Sequence, residues 1–297
     1  MPRRSRLALG LLIGLLSGFQ GSAQSAAPEG FINSYVWRLA DDAFGGFSAI
    51  ELSADGSRLV ALSDRAMLIA GEISRDEAGR ILAVRGGQLR PLRLAETGAR
   101  LTGRRADSEG LAIAPNGAAF VSFENRARVA RIDLATGLTE DIESPRNFAR
   151  LPSNGALEAV AAGPGPTLYA VPEDTPARRI PVFRWRDGVW DGDLSLPRRG
   201  SFKPVAADIG PDGRFYLLER DFRPVGGFAS RLRRFDLSEA ALSGEVTLFT
   251  TPFGLHDNLE GLSVWRDAKD ALRATMISDD NFLFVQQTQI VEYHLPD

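Results

Sequence analysis

The sequence has 297 residues, with 35 lysine and arginine residues against 38 aspartate and glutamate residues and a formal net charge of −3. It contains no cysteine, which excludes disulfide bonds, thiolate nucleophiles and cysteine-linked lipid anchors. The acidic balance argues against nucleic acid as a partner, and the length suffices for one large all-β domain.

The N-terminus has the pattern of a secretory signal peptide. Arg3, Arg4 and Arg6 precede the apolar run Leu7–Leu16, and small residues follow it. This run is too short to span a membrane, so we expect cleavage after Ala23. We therefore predict a signal peptide over residues 1–23, a mature domain over residues 24–297, and a periplasmic or secreted protein. The ordinary secretory route is favoured over the twin-arginine route, because an arginine stands at position 6, where the twin-arginine signal has an apolar residue.

A hairpin pattern recurs along the mature chain. Each copy has an apolar run, a turn usually of the Asp-Gly, Asn-Gly or Pro-Gly type, and a second apolar run, which together predict two strands. The runs are nearly continuous rather than alternating, as is typical of strands buried on both faces. In chain order the copies are Phe47–Ala66, Asp107–Arg126, Gly155–Asp174, Lys203–Phe222 and Asn258–Phe282.

Weaker and more polar strand pairs lie between these copies. Examples are Arg128–Leu134 with Leu138–Ile142, Val182–Arg186 with Val189–Leu194, and Arg231–Leu237 with Val246–Thr250. A buried inner hairpin and a half-exposed outer hairpin make one four-stranded blade, and the repeat spacing is near that of propeller blades. We therefore predict an all-β fold, a single β-propeller with five four-stranded blades; six blades or two packed β-sandwiches are the alternatives.

The two ends of the chain are predicted to close the ring. Ile32–Leu39 and Gln289–Leu295 are alternating, strand-like segments without another obvious partner. Pairing them would remove the open edge of the last sheet.

Acidic residues stand where the predicted inner hairpins begin and end. Because both positions lie at the same end of an antiparallel hairpin, we expect them to surround one axis on one face of the propeller. The leading acids are Glu109, Glu158 and Glu260, with Ser48 and Val205 in the other two copies. The trailing acids are Asp64, Glu124, Glu173, Glu219 and Asp279.

A ring of carboxylates needs compensation, because like charges at short range raise one another's pKa. A hard cation such as calcium, partner arginines, or a proton held on one carboxyl would each supply it. Acids at strand ends are commonly solvated loop residues, but their recurrence at corresponding places favours a site. We therefore interpret all the leading and trailing acids as candidate metal ligands. Arg65 and Arg220 directly follow trailing acids and are candidates for stabilising substrate charge.

Other catalytic patterns are largely missing from the sequence. It has no Gly-x-Ser-x-Gly elbow, no phosphate-cradling glycine loop and no cysteine- or histidine-rich cluster. Of its two histidines, His294 falls in the predicted closing strand, while His256 precedes an acidic hairpin end and is the candidate base. The candidate catalytic residues are Glu109, Glu158, Glu260, His256, Arg65 and Arg220.

The chain resembles an exported bacterial family of phytase-like β-propellers that is named for esterase-like activity of phytase. The resemblance rests on FGGFSAIELSADG, DSEGLAIAPNG with SFENR, PDGRFYLLERDF, and above all DNLEGLSV with SDDNF and QQTQIVEYHL. It implies a secreted or periplasmic propeller that hydrolyses phosphate or other esters, with calcium as the expected cofactor. It brings no assigned catalytic residues to this chain.

Three classes of function remain open. In a metal-assisted phosphoesterase, calcium held by Glu109, Glu158, Glu260 and Asp279 would polarise the phosphoryl group. A lactonase-like ester hydrolase would use one axial metal, with a carboxylate or His256 as base. A non-catalytic binding propeller would capture a cationic or sugar ligand on its acidic face. On the enzyme interpretations we expect a small-molecule substrate and a monomer without a membrane span.

Overall fold

The computed structural model describes residues 26–152, 155–173 and 177–297, and the strands within these ranges form five sheets. The predicted signal peptide over residues 1–23 lies outside the described residues. The sheets are the five blades of a β-propeller, which confirms the predicted fold and excludes the six-bladed and sandwich alternatives.

The chain enters the fifth blade with β1 (Phe31–Val36) and then builds the blades in order. The first blade contains β2 (Phe47–Leu52), β3 (Arg58–Ser63), β4 (Met67–Arg75), β5 (Ile81–Gly86) and the short β6 (Arg90–Pro91). The second contains β7 (Arg93–Leu94), β8 (Ser108–Ile113), β9 (Ala119–Phe123), β10 (Arg128–Ile132) and β11 (Leu138–Asp141).

The remaining three blades each have four strands. The third contains β12 (Ala159–Ala162), β13 (Leu168–Val171), β14 (Arg179–Arg186) and β15 (Val189–Pro197). The fourth contains β16 (Lys203–Ile209), β17 (Phe215–Arg223), β18 (Gly227–Leu237) and β19 (Leu242–Thr250). The fifth contains β20 (Asn258–Arg266), β21 (Leu272–Asp279) and β22 (Gln289–His294), together with β1.

The ring is built around the first strand of each blade. β2, β8, β12, β16 and β20 each contact the next inner strand, and β20 contacts β2 to complete the circle. All five inner strands begin on one face of the propeller, which we call the mouth, and end on the opposite face, the far end. A residue at the start of any inner strand is therefore placed at the mouth.

Pairing of the two chain ends closes the fifth blade, as predicted. β1 runs antiparallel to β22, with Val36 opposite Gln289 and Phe31 opposite Tyr293. This pairing covers the outer edge of β22.

The core lies between the blades, because the first two strands of each blade are largely buried on both faces. β21, for example, is buried along its whole length, and Ile50 and Leu59 of the first blade pack in one cluster with Ile277 and Ile290 of the fifth. The helical segments within the described residues are two 3₁₀ turns, Gly103–Arg105 and Phe148–Arg150. Among the described residues there is no helix with the length and hydropathy needed to cross a membrane.

Candidate functional site

Bulges at the start of the inner strands place the leading residues at the mouth. The register between the first two strands of a blade slips by one residue at Ser48, at Glu109–Gly110, at Val205 and at Glu260. A bulge leaves one residue unpaired and redirects its side chain. These bulges coincide with the leading positions predicted from the sequence, and in the third blade Glu158 directly precedes β12.

A glycine follows the bulged glutamate in two blades and allows neighbouring inner strands to approach closely. A Cβ atom on Gly261 would lie 2.7 Å from the backbone nitrogen of Ile50, and a Cβ atom on Gly110 would lie 3.0 Å from the carbonyl oxygen of Glu158. Both distances are shorter than a side-chain carbon tolerates without movement of the backbone. The Glu-Gly pairs in SEGLAI and LEGLSV therefore serve the packing of the ring as well as the acidic site.

The trailing position of the fourth blade differs from the prediction by one residue. In the fifth blade, Asp279 pairs with the residue two places before the bulged Glu260. In the fourth blade, the residue two places before the bulged Val205 pairs with Arg220. Arg220, and not Glu219, is therefore the counterpart of Asp279.

Glu219 faces the other side of its strand, because successive strand residues point in opposite directions. Its carboxylate is fully buried and accepts bonds from Arg231 at 2.7 Å and from Arg233 at 2.5 Å. It is neutralised within the fourth blade and does not join the other acids at the mouth.

Arg220 neutralises one side of the acidic group. Its guanidinium donates to Glu173 at 3.0 Å, to the side-chain oxygen of Asn258 at 2.7 Å, and to Glu260. Lys203 adds a second cation, 3.3 Å from Glu173. Glu173 and Glu260 therefore have cationic partners.

The opposite side of the mouth contains a compact group of three carboxylates. Asp107, Glu109 and Glu124 each present an oxygen within 4.8 Å of the others. Within the described part of the chain, none of the three forms an ion pair with arginine or lysine. Asn125 donates to Asp107 through its side chain, and the backbone of Gly155 donates to Glu124. We call Asp107, Glu109 and Glu124 the acidic triad.

Asp107 was not among the residues predicted for the site. The signal for it is present in the sequence, because Asp107 stands two residues before Glu109, and residues two apart in an extended segment face the same side.

Burial and mutual repulsion disfavour ionisation of these acids. Burial raises the pKa of Glu109 and Glu158 well above the usual carboxyl range, and neighbouring carboxylates raise it further. The neighbouring Glu124 contributes to the raised pKa of Glu158. Burial also raises the pKa of Asp64 to about 6 and that of Asp279 to about 8. The mouth therefore stores protons that a bound cation would displace.

His256 and Arg65 lie beside the acids in the sequence but are engaged elsewhere in the fold. The Nε2 atom of His256 is 2.7 Å from the hydroxyl of Tyr293, and its ring packs against Phe31. Burial lowers the pKa of His256 to about 4, so the ring is neutral. Arg65 stacks over the ring of Phe282 at 3.3 Å. Neither is in hydrogen-bond contact with the acidic triad.

Two cavities open beside the acids. One, of about 390 Å³, is lined by Glu173, Lys203 and Arg220 together with Phe222 and Phe228, whose rings are 4.9 Å apart. The other, of about 500 Å³, adjoins the acidic triad at Glu124 and is lined in part by arginines. A small molecule could thus reach the acids from either side.

Comparison with known proteins identifies a family. A family model described as Phytase-like, esterase-like activity of phytase, matches residues 42–282. No curated protein matches the chain.

Similar solved structures include virginiamycin B lyase from Staphylococcus aureus, at 17% identity and a TM-score of 0.44, covering 89% of this chain and 75% of that one. Kuenenia stuttgartiensis hydrazine synthase has 15% identity and a TM-score of 0.41, covering 84% of this chain and 61% of that one. XC5397 from Xanthomonas campestris, a gluconolactonase, has 17% identity and a TM-score of 0.43, covering 80% of this chain and 69% of that one. Likeness at this level carries no information about function.

Proposed function

The chain belongs to the Phytase-like family, named for esterase-like activity of phytase, and from this premise we propose that it is an exported hydrolase of small-molecule phosphate esters or other esters. In this proposal the signal peptide over residues 1–23 is removed, and the mature protein works in the periplasm or outside the cell with a divalent cation, calcium, at the mouth of the propeller.

The observation that carries this proposal is the acidic triad, which has no cationic partner among the described residues. Three carboxylates whose oxygens lie within 4.8 Å of one another repel strongly unless a positive charge stands between them. An all-oxygen ligand set suits calcium, whereas zinc is usually bound by nitrogen and sulfur ligands. Asp107, Glu109 and Glu124 would hold the ion, and Asn125 would orient Asp107 through its hydrogen bond.

When bound, the cation would supply Lewis-acid polarisation of the phosphoryl or carbonyl oxygen of the substrate. The chain's own residues complete the site. Glu158, whose pKa is raised by burial and by the neighbouring carboxylates, can hold a proton and deliver it to the leaving oxygen as water attacks the ester. Arg220 keeps Glu173 and Glu260 neutralised, so the cation is drawn to the triad rather than to the other side of the mouth.

The proposal is tested by measuring hydrolysis of p-nitrophenyl phosphate and p-nitrophenyl acetate with calcium and with excess chelator. We expect cleavage of at least one ester that depends on calcium. The double variant Glu109→Gln/Glu124→Gln should lower kcat/KM by about 100-fold or more, because the ligands of the polarising ion are lost.

The matched control is Asp208→Asn, which removes a buried carboxylate from the far end of the same ring. It should leave kcat/KM unchanged within about twofold. Hydrolysis that continues unchanged in chelator, or in the double variant, would contradict the metal-assisted mechanism. Calcium binding at the triad with no cleavage of either ester would instead favour a binding propeller.

A further inference from the structure

The charged residues that line the larger cavity beside the triad are mainly arginines, whereas those at the mouth are mainly acidic. It is lined by Arg126, Arg128 and Arg146, against the carboxylates of Glu124 and Asp141, and has a volume of about 500 Å³. Arg126 and Arg128 are neighbours in the sequence, before and in β10, and the fold adds Arg146 from the segment after β11.

Arg128 forms a fixed wall of this cavity. It is buried, its Nε atom donates to Asp141 at 3.1 Å, and its terminal nitrogens donate to the backbone oxygens of Arg105 and Arg126. Its guanidinium also stacks on Phe123 at 3.6 Å. With every nitrogen engaged, Arg128 contributes a positive potential rather than a free donor.

Arg126 and Arg146 contribute the free donors. Both side chains are exposed, both line the cavity, and neither forms a side-chain hydrogen bond or ion pair with the described residues. Arginine binds phosphate through two parallel charge-assisted hydrogen bonds, and two arginines on one cavity can hold the oxygens of a single phosphoryl group.

We propose that this cavity is the anion subsite, in which Arg126 and Arg146 bind the phosphoryl group of the substrate next to a cation on the acidic triad. The inference rests on the proposed function and deepens it, because it selects phosphate esters over neutral esters. It also differs from the sequence prediction, which gave this task to Arg65 or Arg220. Arg65 is stacked on Phe282, and the Arg220 guanidinium is engaged by Glu173, Glu260 and Asn258.

The smaller cavity is less suited to an anion. Its two cations, Lys203 and Arg220, are already paired with Glu173, and Asp221 adds a further negative charge to its wall. An incoming phosphoryl group would have to compete with carboxylates that are already in place. Its two phenylalanines fit an apolar part of the substrate better.

The first test is calorimetric titration with inorganic phosphate and with phenylphosphonate, a phosphate-ester mimic that cannot be hydrolysed. Both probes should bind to the metal-free protein, and calcium should tighten binding because the ion and the anion attract one another. Arg126→Gln/Arg146→Gln should weaken binding of both probes by about tenfold or more, as expected for lost charge-assisted hydrogen bonds. If inorganic phosphate alone binds, the site takes free phosphate and the assignment to a substrate ester is overturned.

The matched control is Arg150→Gln. Arg150 is an exposed arginine from the same segment as Arg146, but it does not line the cavity. It should leave both affinities unchanged within about twofold. An equal loss in Arg150→Gln and in Arg126→Gln/Arg146→Gln would mean that net charge alone is measured, and unchanged binding in the latter would also overturn the subsite.

A kinetic arm separates failure of this inference from failure of the proposed function. The double arginine variant should raise KM for p-nitrophenyl phosphate by about tenfold or more and leave KM for p-nitrophenyl acetate unchanged. Calcium-dependent cleavage with the same KM in the variant would overturn the subsite while the proposed function stands. Arginine-dependent binding of phenylphosphonate without any cleavage would support the subsite while the proposed function fails.

Discussion

Both ends of the inner strands carry buried acids, but the acids at the two ends differ in their hydrogen-bond and ion-pair partners. At the far end, Glu51 accepts hydrogen bonds from the backbone of Ile113 at 3.1 Å and from the hydroxyl of Ser263 at 3.3 Å. Asp208 accepts one from the backbone of Val264 at 2.6 Å. Each bond joins one blade to another, so these buried acids stabilise the contacts between neighbouring blades.

At the mouth, some of the acids have no comparable partner. Oδ1 of Asp64 is buried and accepts no hydrogen bond from the described residues, and the acidic triad has no ion-pair partner among them. Burial of a carboxylate on the propeller axis therefore does not by itself indicate a ligand site. What distinguishes the mouth is that three carboxylates lie close together there without a cationic partner among the described residues, which leaves a bound cation to complete them.

The largest expected effect follows removal of the Asp208 carboxylate, which links the fourth blade to the fifth. Asp208→Ala leaves the backbone N–H of Val264 without its acceptor and should lower the free energy of unfolding by about 1–3 kcal/mol. Asp208→Asn keeps an acceptor oxygen and should cost less than about 1 kcal/mol. Urea denaturation of the two variants and the wild type measures the difference. Equal stability of both variants would show that the hydrogen bond between Asp208 and Val264 does not stabilise the ring.

A second test uses pH in the absence of metal. Burial raises the pKa of Asp208 to about 7, and that of Asp279 to about 8, from about 3.8 in the unfolded chain. The folded state therefore holds protons that the unfolded chain releases, and this stabilisation is present below about pH 4 and is lost as the pH rises through 7 to 8. The melting temperature of the metal-free protein should fall by about 3 °C or more between pH 5 and pH 8.

Calcium bound at the mouth should reduce this fall in melting temperature. The contribution of Asp208, at the far end, should remain. Asp208→Asn should remove the remaining part without changing the calcium response. A melting temperature that rises from pH 5 to pH 8 in chelator would contradict the raised pKa values at both ends.

The smallest expected effect is on the melting temperature of a variant of one triad residue, Glu109. Glu109→Gln removes one member of a repelling group and should raise the melting temperature of the metal-free protein at pH 8 by about 2–4 °C. With saturating calcium the sign should reverse, because the variant has lost a ligand and the wild type gains stability by mass action. Thermal melting monitored by circular dichroism gives both values, and a loss of stability in both conditions would make Glu109 a structural residue.

The fold followed from the sequence because its signals are local and repeated. Five similar hairpins, four of them with an Asp-Gly, Asn-Gly or Pro-Gly turn, predict five blades, and two alternating end segments predict the closure by β1 and β22. The trailing residue of the fourth blade could not be predicted, because it depends on the register between two strands. A bulge is set by how two strands meet, so the shift that puts Arg220 rather than Glu219 among the acids could not be read from either strand alone.

Side-chain direction in loops was likewise out of reach of the sequence. His256 precedes an acidic hairpin end, yet its ring turns toward Tyr293 because a buried aromatic cluster is available there. Arg126 closely follows the trailing acid Glu124, but Arg146 lies two strands further along the chain and shows no such pattern. Their convergence depends on how the outer strands of the second blade place their connecting loops.

Titration of calcium into the metal-free protein, by calorimetry in two buffers of different ionisation enthalpy, tests the central claim most directly. We predict one calcium ion bound per chain with release of protons, because the cation replaces protons held by the mouth carboxyls. Binding and proton release should be lost in Glu109→Gln/Glu124→Gln and retained in Asp208→Asn. Absence of binding to the wild type, or equal binding with equal proton release in Glu109→Gln/Glu124→Gln, would contradict the claim that the mouth is the cation site.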